Sequence, residues 1–140
     1  MSEHNKALVR RFYEEVINQK KLETMDELCE PDFIDHSALP GQRPGREGLK
    51  DSFGQFLAGF PDMRAPVHQL IAEGDILVAR FTMEGTHTAA LMGAAPTGKK
   101  VTFRGMDMVR IRNGRAIEAW HEGNDLEILM QLGVQAPTAT

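Results

Sequence analysis

Apolar residues return every three or four positions near the start of the chain. Leu8, Val9, Phe12, Tyr13, Val16 and Ile17 fall on one face of a helix, with Arg10, Arg11, Glu14 and Glu15 on the other. This spacing predicts an amphipathic first helix. A second, short helix is expected over about residues 22–29, stopped at Glu30 by Pro31, because a proline disfavours helical backbone in the residue before it. "DFIDHS" then reads as a short strand and the glycine- and proline-rich "LPGQRPGREG" as a loop. Leu49, Phe53, Phe56, Leu57 and Phe60 restore the helical period until "GFPD" ends it. Three helices are therefore expected in the first 60 residues.

The period then changes from helical to alternating. "RAPVHQLIAEGDILVARFTMEGTHTA" contains two strand-like runs around the turn signal Glu73-Gly74-Asp75. "KVTFRGMDMVRI" and "RAIEAWHE" follow, joined by the hairpin signal Asn113-Gly114. Helices first and strands later predict an α+β domain in which a curved antiparallel meander wraps around the helices. No repeat or linker divides the chain, so residues 1–134 read as one domain and 135–140, "QAPTAT", as a short tail.

Alternation also assigns each polar residue to a face. In residues 77–89, Leu77, Ala79, Phe81, Met83, Gly85, His87 and Ala89 share one side. In the next strand Val101, Phe103, Gly105, Asp107, Val109 and Ile111 share one. His87 and Asp107 thus fall on apolar faces. An ionised carboxylate there is costly unless paired. Asp107 is either a hydrogen-bonded structural residue near a bend at Gly105, or a group lining an internal cavity where a nearby histidine tunes its acidity. His87 carries the same pair of readings. Tyr13, on the buried side of the first helix, adds a hydroxyl that needs a partner, or is an ordinary core aromatic.

Composition narrows the classes of function. The 140 residues are 41% hydrophobic, enough for a real core, and the net charge of -4 with dispersed Lys and Arg offers no stripe for a nucleic-acid backbone. No segment reaches the ~18 apolar residues of a membrane span, and "MSEHNKALVRR" lacks the apolar core of a signal peptide, so a cytoplasmic protein is expected. The single cysteine, Cys29, reads as a small core residue. "GAAPTGKK" has phosphate-loop spacing, but Lys100 stands where Ser or Thr would hold magnesium, and a strand follows instead of a helix. The five histidines, at 4, 36, 68, 87 and 121, show no metal-binding spacing. There is no Gly-x-Ser-x-Gly elbow. The chemistry expected is acid–base, without a metal or an organic cofactor.

The early "DFIDH", the block "GTHTAALMGAAPTGKKVTFRGMDMVRIRNGRAIEAW" and the closing "MQLGV" resemble the SnoaL-like polyketide cyclases, also called ester cyclases, of the NTF2-like superfamily. The resemblance spans nearly the whole chain. It implies a cone-shaped α+β barrel with a deep apolar pocket, dimerised through its sheet. It also implies a cofactor-independent intramolecular aldol condensation in which a carboxylate moves the proton. Ketosteroid isomerase migrates a double bond by acid–base chemistry on a related fold.

In that family a tryptophan is followed, after three residues, by the acid–base Asp. Counted from Trp120, Asn124 holds that position and Asp125 comes one residue late. Asn cannot exchange a proton at neutral pH. Three accounts stand at this point. A bulge at Gly123 could rotate Asp125 into the pocket, leaving Asn124 as a helix N-cap with capping-box spacing to Glu127. Asn124 could polarise a carbonyl while His36, His87 or Asp107 moves the proton. Or the domain binds a small hydrophobic molecule, or serves as a dimerisation module, and catalyses nothing. The leading expectation is an enzyme acting on a small apolar carbonyl compound. Asp125 is its base, with His87, Asp107, His36 and Asn124 as polar partners. Tyr13, Phe81, Phe103, Trp120 and His121 then contact the substrate. Arg104, Met106, Met108 and Arg110 on the outward strand face have the composition of an interface and predict a homodimer.

Overall fold

The computed structural model describes residues 2–91 and 93–133; the tail at 135–140 lies outside them. The amphipathic first segment forms α1 (Ser2–Arg11), which runs unbroken into a wider π-helical stretch, Phe12–Asn18. That stretch buries Tyr13, Val16 and Ile17. Lys20 ends it in the left-handed region, φ 62°, and its ammonium donates to the carbonyls of Ile17 (2.8 Å) and Met63 (2.6 Å). A carbonyl left open at a helix end is thus satisfied by a side chain, as helix termini require.

The second helical run is shorter than expected. A single 3-10 turn, Leu22–Thr24, leads into α2 (Met25–Leu28), and Cys29 already opens strand β1 (Cys29–Asp35). The influence of Pro31 thus reaches two residues back, with Cys29 extended at φ -120° and ψ 146°. Burial pushes the Cys29 thiol up to about 12, so it packs as a small apolar group. The third helix, α3 (Gly45–Gly59), begins before its apolar period does, at Pro44.

Four further strands complete the sheet: β2 (Val67–Glu73), β3 (Ile76–Thr86), β4 (Lys100–Arg112) and β5 (Arg115–Gly123), followed by α4 (Asp125–Gln131). The strand order is β1-β5-β4-β3-β2. β2 to β5 form the antiparallel meander, and β1 joins β5 in parallel, placing Pro31 on an edge strand where it removes no ladder bond from the interior. The sheet is curved and stays unclosed, with helices packed against it. Asn113 (φ 54°) and Gly114 (φ 77°) make the turn between β4 and β5, both in the left-handed region that a two-residue hairpin of this hand demands.

One irregularity in that hairpin sets the site. Ile111 pairs with Ala116, but Arg110 pairs with Glu118, so Ile117 is an extra residue in β5. A one-residue bulge flips every later side chain to the opposite face. Beyond it Asp107 stands opposite His121, and Gly105 opposite Gly123. Without the extra residue the tight turn would have set Trp120 beside Asp107.

The core lies between the helices and the concave face of β3 and β4. Val16, Ile17, Met25, Phe60, Met63 and Leu77 are fully buried there. Phe60, just past α3, touches both Phe56 and Phe103 through tilted or edge-on ring contacts. Phe60→Ala is expected to cost about 3–5 kcal/mol of stability, the range for emptying a buried aromatic site. Urea unfolding followed by circular dichroism reads this as a lowered midpoint with an unchanged slope.

Candidate active site

The concave face does not close over its core completely. A cavity of about 470 Å³ opens between the helices and the sheet, walled by Phe12, Phe33, Leu49, Phe53, Phe56, Phe81 and Phe103 among others. Its size falls within the usual range for small-molecule sites. Against these apolar walls stands a connected polar chain. The Tyr13 hydroxyl donates to Asp107 Oδ2 at 2.6 Å, and His121 Nδ1 lies 2.7 Å from Asp107 Oδ1. His121 Nε2 is 3.6 Å from Asp125 Oδ1, an ion-pair distance. Tyr13, Asp107, His121 and Asp125 all line the cavity.

Each group is placed by a different element. The π-helical stretch carries Tyr13 under the sheet, where its ring packs on Phe81 at 5.2 Å. β4 presents Asp107 and the bulged β5 presents His121. α4 begins at Asp125. Two glycines make the room. A Cβ at Gly105 would sit 2.7 Å from the Phe81 ring and 3.2 Å from His121 Cε1. One at Gly123 would sit 2.8 Å from the Arg104 carbonyl and 3.1 Å from His121 Nε2. Ser37, beyond the end of β1, extends the pairing with β5 through its side chain. The His121 N–H donates to Ser37 Oγ at 2.8 Å, and Ser37 Oγ donates to the His121 carbonyl at 3.2 Å.

Electrostatics follow from this geometry. The hydrogen bond to Asp107 and the charge of Asp125 outweigh burial and raise His121 to about 10, so it is an imidazolium at neutral pH. That imidazolium holds the Asp125 carboxyl below its ordinary value. Burial, together with the Asp107 charge, raises the Tyr13 hydroxyl well above its ordinary value, so it remains a donor. Asp107 and Asp125 address opposite ring nitrogens of His121, which does not make a cage for a cation. Among the described residues no three His, Cys, Asp or Glu side chains converge as metal ligands.

The structure brings together Tyr13, Asp107, His121 and Asp125, with Phe81 and Phe103 as walls. It leaves three candidates elsewhere. His87 is fully buried beside Phe60, and its Nδ1 accepts the Thr97 N–H at 3.3 Å, so it pins the loop after β3 and does not reach the cavity. His36 bonds Glu118 at 2.8 Å and stacks on Trp120 at 4.4 Å. Trp120 borders the cavity, but it pairs opposite Met108 on the other face of the sheet, because the bulge has exchanged it with His121. Asn124 lies outside the lining: its Oδ1 accepts the Arg104 N–H at 2.8 Å and its Nδ2 donates to Glu127 at 3.3 Å. It holds the N-cap position of α4 without a side-chain cap bond, so the capping box does not form. Gly123 pairs regularly with Gly105, so the bulge is at Ile117 and not at Gly123. Sequence reasoning placed His121 among the contact residues when it is the centre of the network. The signal available was the pair of glycines, Gly105 and Gly123, flanking Asp107 and His121.

A family model for SnoaL-like polyketide cyclases matches residues 7–132. The chain belongs to that family. Among solved structures, IdmH of Streptomyces antibioticus, a candidate polyketide cyclase, is 34% identical. The match covers 92% of this chain and 98% of IdmH, with a TM-score of 0.79. AclR of Streptomyces galilaeus, a candidate hydroxylase, is 26% identical over 99% of this chain and 90% of its own, at a TM-score of 0.83. TsrD of Streptomyces laurentii shares the fold at a TM-score of 0.86 and 22% identity, over 95% of this chain and 97% of its own. No curated protein gives a significant match. Among the described residues no helix is long and apolar enough to cross a membrane.

The raised His121 pKa has a direct consequence for stability. Its folded value, about 10, lies above the ~6.5 of an unfolded chain. Its contribution is therefore complete below pH ~6.5 and is lost as pH rises through about 10. NMR titration of the His121 ring should show no inflection between pH 6 and 8. In Asp107→Asn the inflection should move down towards the ordinary histidine range.

Proposed function

We propose that this protein is a cofactor-independent acid–base enzyme acting on a small apolar carbonyl compound, by polyketide-type aldol ring closure or by isomerase-like double-bond migration. The observation that carries the reading is the chain Tyr13–Asp107–His121–Asp125 set in the wall of a largely apolar cavity. Ionisable groups held together in a cleft, with shifted acidities, are the arrangement proton transfer needs.

The Asp125 carboxylate takes the acidic α-proton of the bound carbonyl compound. The electron pair moves onto the carbonyl oxygen, and the His121 Nε2–H stabilises the enolate that forms. Asp107 keeps the imidazolium in place through Nδ1, and the Tyr13 hydroxyl, bonded to the other Asp107 oxygen, keeps that carboxylate turned towards His121. The enolate carbon then attacks a second carbonyl of the same molecule, and the alkoxide so formed takes the proton back from Asp125; in double-bond migration Asp125 returns the proton to a different carbon of the conjugated enolate.

Proton exchange at the α-carbon of 2-acetyl-1-tetralone in heavy water, followed by mass spectrometry, tests this reading. Asp125→Asn and His121→Gln should each slow the exchange by about 10²–10⁴-fold, the usual contribution of a positioned acid or base. Asn124→Asp should bring no gain, because that side chain is committed to Arg104 and Glu127 outside the cavity. Saturable thermal stabilisation without exchange would replace the enzyme reading with a ligand-binding module. A gain of exchange in Asn124→Asp would move the base away from Asp125.

The proposed assembly is a homodimer through the outer face of the sheet. Met106 and Met108 are exposed there at 52% and 37%, and Ile71 on β2 at 55%. Exposed methionines among arginines are more typical of an interface than of bare surface. Light scattering at micromolar concentration should give twice the mass of one chain, and Met106→Glu with Met108→Glu should return it to one.

A further inference from the structure

A second, smaller hollow of about 220 Å³ adjoins the cavity, bounded by the loop Leu39–Arg43 and by Asp51, Ser52 and Gln55 of α3. The two spaces share Leu39, Gln42, Ser52 and Gln55. Their linings differ in kind. Leu49, Phe53 and Phe56, spaced i, i+4 and i+7 on α3, face the apolar cavity, whereas Ser52 and Gln55, spaced i and i+3, sit on the seam.

The charges of the hollow are already used. Arg43 forks onto Asp51 through two hydrogen bonds, Nε to Oδ2 at 2.6 Å and Nη2 to Oδ1 at 2.9 Å, so the pair carries no net charge into the space. The Gln42 amide is committed as well: Nε2 donates to Asp35 at 2.9 Å and Oε1 accepts the Leu39 N–H at 3.2 Å. Ser52 and Gln55 make no side-chain hydrogen bond among the described residues. Together they offer a hydroxyl, an amide donor and an amide acceptor to whatever enters. On the volume water takes in the liquid, the hollow has room for about seven waters.

We propose that this hollow is a specificity subsite for a neutral, hydroxyl-bearing substituent, such as a sugar ring, on a ligand whose apolar ring system fills the main cavity. The proposal rests on the reading of that cavity as the substrate site and adds the chemistry of the substrate's second half. Anionic substituents gain nothing here, because Asp51 cancels the charge of the Arg43 guanidinium. Hydroxyls gain because Ser52 and Gln55 bond to them where, in the free protein, they meet only solvent.

Three fluorescent probes sharing one bicyclic ring test it: 2-naphthol, 2-naphthyl β-D-glucopyranoside and 2-naphthyl sulfate, titrated against the whole chain. The glucoside should bind about tenfold more tightly than 2-naphthol, the scale of one to two net hydrogen bonds. The sulfate should bind no more tightly than 2-naphthol. In Ser52→Ala with Gln55→Ala the glucoside's advantage over 2-naphthol should vanish, and a far-UV circular dichroism spectrum that matches the parent's shows that the variant is folded. A glucoside that binds no more tightly than 2-naphthol, an advantage that survives in the double variant, or a sulfate that matches the glucoside would each overturn the subsite. The α-proton exchange measurement uses neither these probes nor these residues, so failure of the subsite and failure of the enzyme reading are distinguishable.

Discussion

A carboxylate among apolar side chains has to find partners before the surrounding structure can close on it, and Asp107 imposes that condition on this fold. Its side chain is 17% exposed, on a strand face whose other members are valine, phenylalanine, glycine and isoleucine. Burying such a group unpaired costs several kcal/mol. Both oxygens are met, one by the Tyr13 hydroxyl and one by the His121 ring. The first partner comes from the N-terminal helical segment and the second from the last strand. The same pairing that makes the carboxylate tolerable therefore ties the helical layer to the sheet.

The bulge at Ile117 is what lets the second partner arrive. It turns His121 inward and Trp120 outward, and so divides the polar and aromatic content of "AWHEG" between two faces. Gly105 and Gly123, paired across the strands, then leave the His121 ring free to stand between Asp107 and Asp125. Ser37 holds the backbone of the same histidine from the other side. Four separate stretches of chain fix one imidazole, and preorganisation of this kind is what electrostatic stabilisation of an enolate requires.

The cavity has its own cost. Phe12, Phe53, Phe56 and Phe103 face open volume where a fully packed core would place neighbouring atoms, and the dispersion contacts are lost on that side. Stability is recovered deeper, in the fully buried Val16, Ile17, Met25, Phe60 and Met63. His87 belongs to this supporting layer. It stands one residue past β3, and its buried ring serves the loop at Thr97 and does not touch the cavity.

Periodicity and turn chemistry, read along the chain, determined the helices, the strand faces, the Asn113-Gly114 hairpin and the presence of a carboxylate on an apolar face. These are local properties: the period of apolar residues, the left-handed preference of Asn-Gly, the backbone bias before Pro31. Tertiary structure decided which polar groups meet. A one-residue bulge leaves no mark in an alternating pattern that is already irregular, as "RAIEAWHEG" is, yet it exchanges Trp120 for His121. The parallel pairing of β1 with β5, which brings Ser37 to His121, joins segments more than 80 residues apart. Asn124 and Asp125 differ by one position in sequence and by about a third of a helical turn in direction. Only the start of α4 fixed which of the two faces the cavity.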